Sequence, residues 1–345
     1  MKKAKNLLRI ATLGSFVLLF SFIFGCSSSS ENNGEASGDE YVLKYAHVVP
    51  ETHATHLASV EFKEEVEKLS DGKLKIEIYP NGQLYSSERE GIEATIAGNL
   101  DMMIIGAPAI ASFDPRFMVL DLPYLFNSRE EAFEALDGEL GEELDGVMKE
   151  LGLVNLGWGD NGFKNMASSK GPIYSKEDFK GLKVRVMENR LYQDTFEELG
   201  ANADPHAFGE LYSALQQGVF DAADQPVSLM ASNKFQEVVP HYTLTQHVYA
   251  SAPAFINSDK YDELPEELQQ VLVEAGDKVF NNSYRDLAHD QDTEKLEELK
   301  ADGMEVYELT EEQKEALKEA VMPIYKKYED EIGKDLVELA QRRGQ

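Results

Sequence analysis

The chain has 345 residues, with 33 Lys and Arg against 63 Asp and Glu, and a formal net charge of −30 at pH 7. That length can hold two domains of ordinary size with a substantial core, and the acidity speaks against nucleic acid and against anionic lipid headgroups as partners. It leaves room for a small anionic ligand, because surface charge is screened within about 8 Å at physiological salt while a cation in a pocket acts at contact distance.

The chain opens on a basic stretch with Lys2, Lys3 and Lys5, and residues 7–24 are apolar apart from Arg9 and a few small or hydroxyl residues. Ile23-Phe24-Gly25-Cys26 then resembles the lipobox of bacterial lipoproteins. Residues 1–25 read as a lipoprotein signal peptide, with Cys26 as the lipid-attachment residue. An uncleaved transmembrane helix is the rival reading, since about 18 residues can span a membrane. The polar, Gly/Ser-rich run from Ser27 to Gly38 favours cleavage, and residues 26–40 form a flexible tether. Cys26 is the only cysteine, so no disulfide and no free catalytic thiol is expected.

From Tyr41 on, strands alternate with helices. Tyr41 to Val48 alternates as a strand, Thr55 to Leu69 has helical spacing, and Lys73 to Tyr79 sets Leu74, Ile76 and Ile78 against Lys73, Lys75 and Glu77. A helix is predicted from about Ser87 to Ala97, followed by a strand over the apolar run Met102 to Ile105. After Leu153 come strands near Val154 to Gly157, Phe163 to Ser168, Leu182 to Val186 and Phe220 to Ala223, with helices near Leu191 to Leu199 and Phe208 to Gln216. Strand pairs with a helix between them imply crossovers and a mixed or parallel sheet. From Pro265 the chain is charged and helical, with a short apolar break at Met304 to Tyr307.

Most chemical motifs fail on context. Gly157-Trp158-Gly159-Asp160-Asn161-Gly162 satisfies G-x-G-x-x-G, but the next segment, Phe163 to Ser168, reads as extended. No helix follows to present its amides to a pyrophosphate. His53 and His56 share a helix face, yet no Glu follows His53 and no third ligand completes a zinc site. Neither cofactor nor metal is expected. Arg185 is the more informative residue. Within Gly181 to Met187, Leu182, Val184 and Val186 share one face, so Arg185 projects to the other. A partly buried guanidinium needs a carboxylate, supplied either by the protein or by a ligand.

The segment from Gly200 to Pro226, with Gly181 to Val186 before it, resembles the substrate-binding proteins of tripartite ATP-independent periplasmic (TRAP) transporters, the dicarboxylate-binding family. The resemblance extends to Tyr79 to Leu84, Glu88-Arg89-Glu90, Asp121 to Phe126 and Leu264-Pro265-Glu266, and covers Tyr41 to about Tyr328. It implies a two-lobed α/β periplasmic-binding-protein-like fold. Each lobe would be a mixed sheet flanked by helices, with the ligand cleft between lobes and C-terminal helices crossing both. The expected division is 41–162 with about 251–290 as lobe I, and 163–250 with about 291–340 as lobe II. Closure by hinge motion would complete the ligand contacts.

By the same resemblance Arg185 is the arginine that pairs with a substrate carboxylate, Glu88 accepts hydrogen bonds from substrate or water, and Phe208 packs on the ligand. The plainer readings are a structural ion pair, a first-turn helix carboxylate and a core staple. Two positions depart from the family pattern. Lys164 stands where Gly-Phe-Arg is frequent, and lysine is a point charge without the planar fork. Gln225 replaces an asparagine, moving its amide outward by about one bond length. His53, read as solvent-exposed in a loop after the first strand, Trp158 and Pro108 complete the candidate ligand contacts, with core packing the alternative for Trp158 and a simple turn for Pro108.

The expected function is a monomeric, lipid-anchored receptor on the extracytoplasmic face of the cell membrane. It would capture a small organic acid, a C4-dicarboxylate, hydroxy acid or sugar acid, and deliver it to the large and small membrane subunits of a permease. A sensory receptor for the same acids, or an enzyme acting on them, are the alternatives; no catalytic residue is assigned.

Overall fold

The computed structural model describes residues 40–342. The leader at 1–25, Cys26 and nearly all of the tether therefore lie outside the described residues. Among those residues no helix is long and apolar enough to cross a membrane.

The elements in chain order are β1 (Tyr41–Ala46), α1 (Ala54–Leu69), β2 (Leu74–Tyr79), α2 (Glu88–Ile96), β3 (Met102–Ile104), α3 (Arg129–Leu136), α4 (Glu139–Glu150) and β4 (Leu153–Ser168). Then follow β5 (Lys183–Val186), α5 (Arg190–Glu198), β6 (Asn202–Pro205), α6 (Leu211–Gln216), β7 (Ala222–Gln225), α7 (Val227–Ser232) and β8 (His241–Asn257). The chain ends in α8 (Ser258–Asp262), α9 (Glu266–Lys278), α10 (Tyr284–Ala301), β9 (Glu305–Glu308), α11 (Glu311–Val321), α12 (Pro323–Ile332) and α13 (Lys334–Gln341).

The strands form a nine-stranded sheet in the order β2-β1-β3-β8-β4-β7-β5-β6, with β9 beside β8. Two parallel groups, β2-β1-β3 and β7-β5-β6, sit at its ends. The antiparallel pair β4 and β8 joins them. The end of β8 pairs with β3, and the end of β4 pairs with β7, so each long strand serves both halves. This is the two-lobed mixed α/β fold. Each half is covered by helices on both faces, as parallel strands require. In the first half, Leu43, Tyr45, Leu74 and Ile76 pack on Ala58, Phe62 and Val66 of α1. In the second, Val184 and Val186 pack on Tyr192 and Phe196 of α5.

Long β4 differs from the two separate strands expected. Its glycines explain the continuity, because a Cβ on Gly159 would lie 2.2 Å from the Tyr284 ring and one on Gly157 2.8 Å from Phe280. Without side chains there, the strand passes directly against the start of α10. That close approach is what the G-x-G-x-x-G pattern serves. Between Asp160 and Phe163 the ladder with β8 slips, leaving Asn161 and Gly162 outside regular pairing. Gly162 has φ +81°, and a Cβ there would fall 2.4 Å from Asp292 Oδ2. β8 escaped the sequence reading altogether; Pro253 inside it argues against a strand, although its carbonyl still accepts from the Ile105 N–H.

The C-terminal helices cross from one half to the other. Leu317 and Val321 of α11 enter the second-lobe core. Ile324, Tyr328 and Ile332 of α12, with Val337 and Ala340 of α13, join the core cluster that holds both Phe117 and Leu191, and Tyr328 of α12 donates its hydroxyl to Asp194 of α5.

Candidate functional site

A cavity lies between the two halves, and Glu88, Pro108, Lys164, Arg185, Phe208 and Gln225 all line it. These residues come from α2, the turn after β3, β4, β5, the segment before α6, and β7. Asn161, Met187 and Leu229 complete much of the wall. The mix of apolar lining with a few convergent polar groups suits a small organic ligand.

Arg185 is 2% exposed, deeper than the partly buried position expected for it. Its Nε donates to the His206 carbonyl at 2.8 Å, which fixes the guanidinium plane. Its terminal nitrogens make no hydrogen bond or ion pair among the described residues. Burial lowers its pKa, and the charges of Asp224, Glu88 and Glu188 oppose that shift. The result is a preorganised, charged fork facing a cavity with its strongest donors unused.

Lys164 is also buried, but its charge is matched. Its Nζ lies 2.9 Å from Asp224 Oδ2. It also sits 4.4 Å above the Tyr192 ring centre. Burial pushes the Asp224 carboxyl up, yet Lys164 and His247 outweigh that and hold it below its ordinary range. Nearby Asp121 is pushed up to about 8 by burial, with Lys164, Asn189 and Tyr192 opposing, so at neutral pH it is largely protonated. The Lys164 and Asp224 pair is thus close to neutral on its own.

Glu88 begins α2, where an anion favours the helix dipole. Its pKa is raised by burial, against the pull of Arg185, Lys164 and the Gly106 N–H. Phe208 offers a half-buried ring whose edge meets Phe235. The Gln225 carbonyl accepts from Tyr242 Oη at 2.8 Å, while its side-chain amide makes no protein hydrogen bond among the described residues. The Pro108 carbonyl accepts from Asn189 Nδ2 at 3.3 Å.

Two candidates stand apart. His53 is 1% exposed, not solvent-facing as expected, because it is the N-cap of α1: its Nδ1 accepts from the Thr55 N–H. Its Nε2 meets Ser228 Oγ at 3.2 Å. Burial lowers its pKa to about 3, with His47 adding to the effect, so it is neutral. Trp158 is 3% exposed and packs in the first-lobe core, tilted against Phe117 at 6.3 Å. Its neighbours Gly157 and Gly159 bring the backbone close to Phe280 and Tyr284.

Asn161 is the residue that sequence reading missed. The slip in the β4 ladder turns it out of the sheet, and its Oδ1 accepts from Tyr284 Oη at 2.9 Å and Thr55 Oγ1 at 3.3 Å. Both of these bonds occupy the oxygen, so the Nδ2 hydrogens remain for the cavity. The available signal was a polar side chain flanked by glycines inside a strand, a pattern that marks a bulge. Behind this wall Arg129 bridges Asp160 and Asp292, and Asp292 Oδ1 accepts the Ser228 N–H at 3.0 Å. Among the described residues no group of three His, Cys, Asp or Glu side chains is placed to hold a metal ion.

A two-lobed α/β fold with a buried arginine lining a cavity between its halves is the architecture of a solute-binding protein. The chain matches the family model for bacterial extracellular solute-binding protein, family 7, over residues 45–331, and it belongs to that family. It is 31% identical to the C4-dicarboxylate-binding protein DctB of Bacillus subtilis, over 89% of this chain and 87% of that one. It is 32% identical to the C4-dicarboxylate-binding periplasmic protein DctP of Rhodobacter capsulatus, over 88% and 90% of the two chains. Among solved structures, the sugar acid binding protein DctPAm of Advenella mimigardefordensis, in complex with galactonate, superimposes with a TM-score of 0.85 at 31% identity, covering 89% of this chain and 99% of that one. A TRAP periplasmic solute binding protein of Sulfurospirillum deleyianum, with bound succinate, gives a TM-score of 0.84 at 32% identity, covering 89% and 100%.

Proposed function

We propose that this protein is the extracytoplasmic receptor of a TRAP transporter, which captures a small organic acid by its carboxylate and delivers it to membrane permease subunits. The observation that carries this reading is the Arg185 fork, buried and fixed by His206 yet without a carboxylate partner. Leaving such a group unmatched is costly, and a ligand carboxylate accepting two parallel N–H bonds removes that cost. Phe208 covers the ligand, Glu88 and Gln225 contact its polar groups, and Pro108 shapes the wall. The relatives that bind C4-dicarboxylates and the neighbours that hold galactonate or succinate support the ligand class.

Lobe I comprises 41–162 with about 251–290, lobe II comprises 163–250 with about 291–340, and the terminal helices lie across both. The lobes close on the ligand by bending β4 and β8 near the ladder slip at Asn161. Cys26 carries the lipid that holds a monomeric receptor at the membrane. A thermal-shift screen of organic acids on the purified protein, repeated with Arg185→Ala, tests the proposal. Stabilisation by carboxylates that vanishes in the variant is expected; shifts that survive it would refute the anchor.

A further inference from the structure

The two cations of the cavity are not equivalent, and that bears on how many negative charges a ligand can bring. Arg185 has no carboxylate partner among the described residues, whereas Lys164 is held by Asp224 at 2.9 Å, both side chains buried. Glu88 lines the same space and adds a carboxyl group, which repels a second anion when ionised. A first carboxylate meets the free fork. A second one meets a lysine already paired with Asp224, beside the Glu88 carboxyl. Against this, the cavity is well supplied with neutral polar groups: the Asn161 amide, whose oxygen is spent on Tyr284 and Thr55, and the Gln225 amide, which has no protein partner among the described residues. Glu88 serves naturally as an acceptor for hydroxyl groups, and the aromatic face of Phe208 suits the C–H face of a carbon chain carrying them.

We propose, resting on the carboxylate-receptor reading above, that the ligand is a monocarboxylate bearing several hydroxyl groups, a sugar acid of the aldonate or uronate type, and that dicarboxylates are disfavoured because Asp224 occupies Lys164 while Glu88 faces the site. The discrimination is one of charge count and not of size, since an aldarate differs from its aldonate only in the oxidation of one terminal carbon. A site made to hydrogen-bond hydroxyls also rejects an analogue lacking them, because its polar groups are then left unpaired. Succinate fails on both grounds.

Isothermal titration calorimetry with matched ligands tests this. D-galactonate, D-gluconate, D-glucuronate and D-erythronate are each compared with the aldarate of the same carbon skeleton, and with succinate and malate. The tightest monocarboxylate is expected to bind at least tenfold more strongly than its aldarate and than either C4-dicarboxylate. A dicarboxylate that binds as tightly or more tightly overturns the inference and leaves the Arg185 reading intact. Failure of every carboxylate overturns both. Glu88→Gln is expected to narrow the gap between matched mono- and dicarboxylates several-fold, and Asp224→Asn, by freeing Lys164, to narrow it further. Should Asp224→Asn not fold, Glu88→Gln carries the test; an unchanged ratio in that folded variant refutes the charge mechanism.

Discussion

The β4 wall and the β5 wall of the cavity each bury one cation, and they use it in opposite ways. On β4, Lys164 is matched by Asp224 from the adjacent β7, while on β5 the β7 residue in register with Arg185 is Ala223, which brings no charge. Lys164 is therefore engaged within the protein, whereas the terminal nitrogens of Arg185 stay available for the carboxylate proposed above. Burial and charge alone do not distinguish them; only the partner does.

Breaking that comparison gives the largest expected effects. Lys164→Ala strands the Asp224 carboxylate in the interior and is expected to cost about 3 to 5 kcal/mol of stability, which urea unfolding of the ligand-free protein measures. Arg185→Ala removes no ion pair and is expected to leave ligand-free stability nearly unchanged or improved, while weakening carboxylate binding by roughly 100-fold, the equivalent of two charge-assisted bonds worth about 3 kcal/mol together. Equal losses of stability in the two variants would erase the distinction between the walls.

A middle-sized effect concerns acid. His47 and His53 are buried and lowered to about 3, His47 by burial and the nearby His56 and His53 by burial and His47. A base lowered in the folded state binds fewer protons there than in the unfolded chain. Its stabilisation is complete above the unfolded value near 6.5 and is lost as pH falls toward 3. Each histidine is expected to steepen this acid limb by about 1.4 kcal/mol per pH unit, and His53→Gln should remove one proton from the slope measured by unfolding at several pH values. Smallest is Asn161→Ala, expected to weaken ligand binding about tenfold or less by calorimetry, because it deletes one neutral donor and leaves the anchor in place.

The contrast also marks where sequence reading reaches and where it stops. Local patterns were readable: the alternation that separates Leu182, Val184 and Val186 from Arg185 is a property of neighbouring residues, and Val184 and Val186 do enter the second-lobe core. The burial of His53 was not, because it follows from a cap and from Ser228, a partner 175 residues away. The Lys164 and Asp224 pair spans 60 residues, and no spacing rule connects them. Resemblance brought Glu88, Arg185, Phe208 and Gln225 into view together, but could not say which cation was already engaged. β8 stayed hidden because a proline and a run of small residues conceal a strand whose pairing partners, β3 and β4, lie far upstream.

That hidden strand sets an order on how the molecule can come into being. Met102 pairs with Ile256, and Leu153 with Asn257, so the joining strand of both halves is written in the last third of the chain. A growing or translocating polypeptide that has not yet delivered β8 can form the parallel pair β1 and β2 but has nothing to join the halves. Contacts of such long sequence separation are closed late and slowly. The ligand cavity consequently appears all at once, after most of the chain has crossed to the side where it will be used.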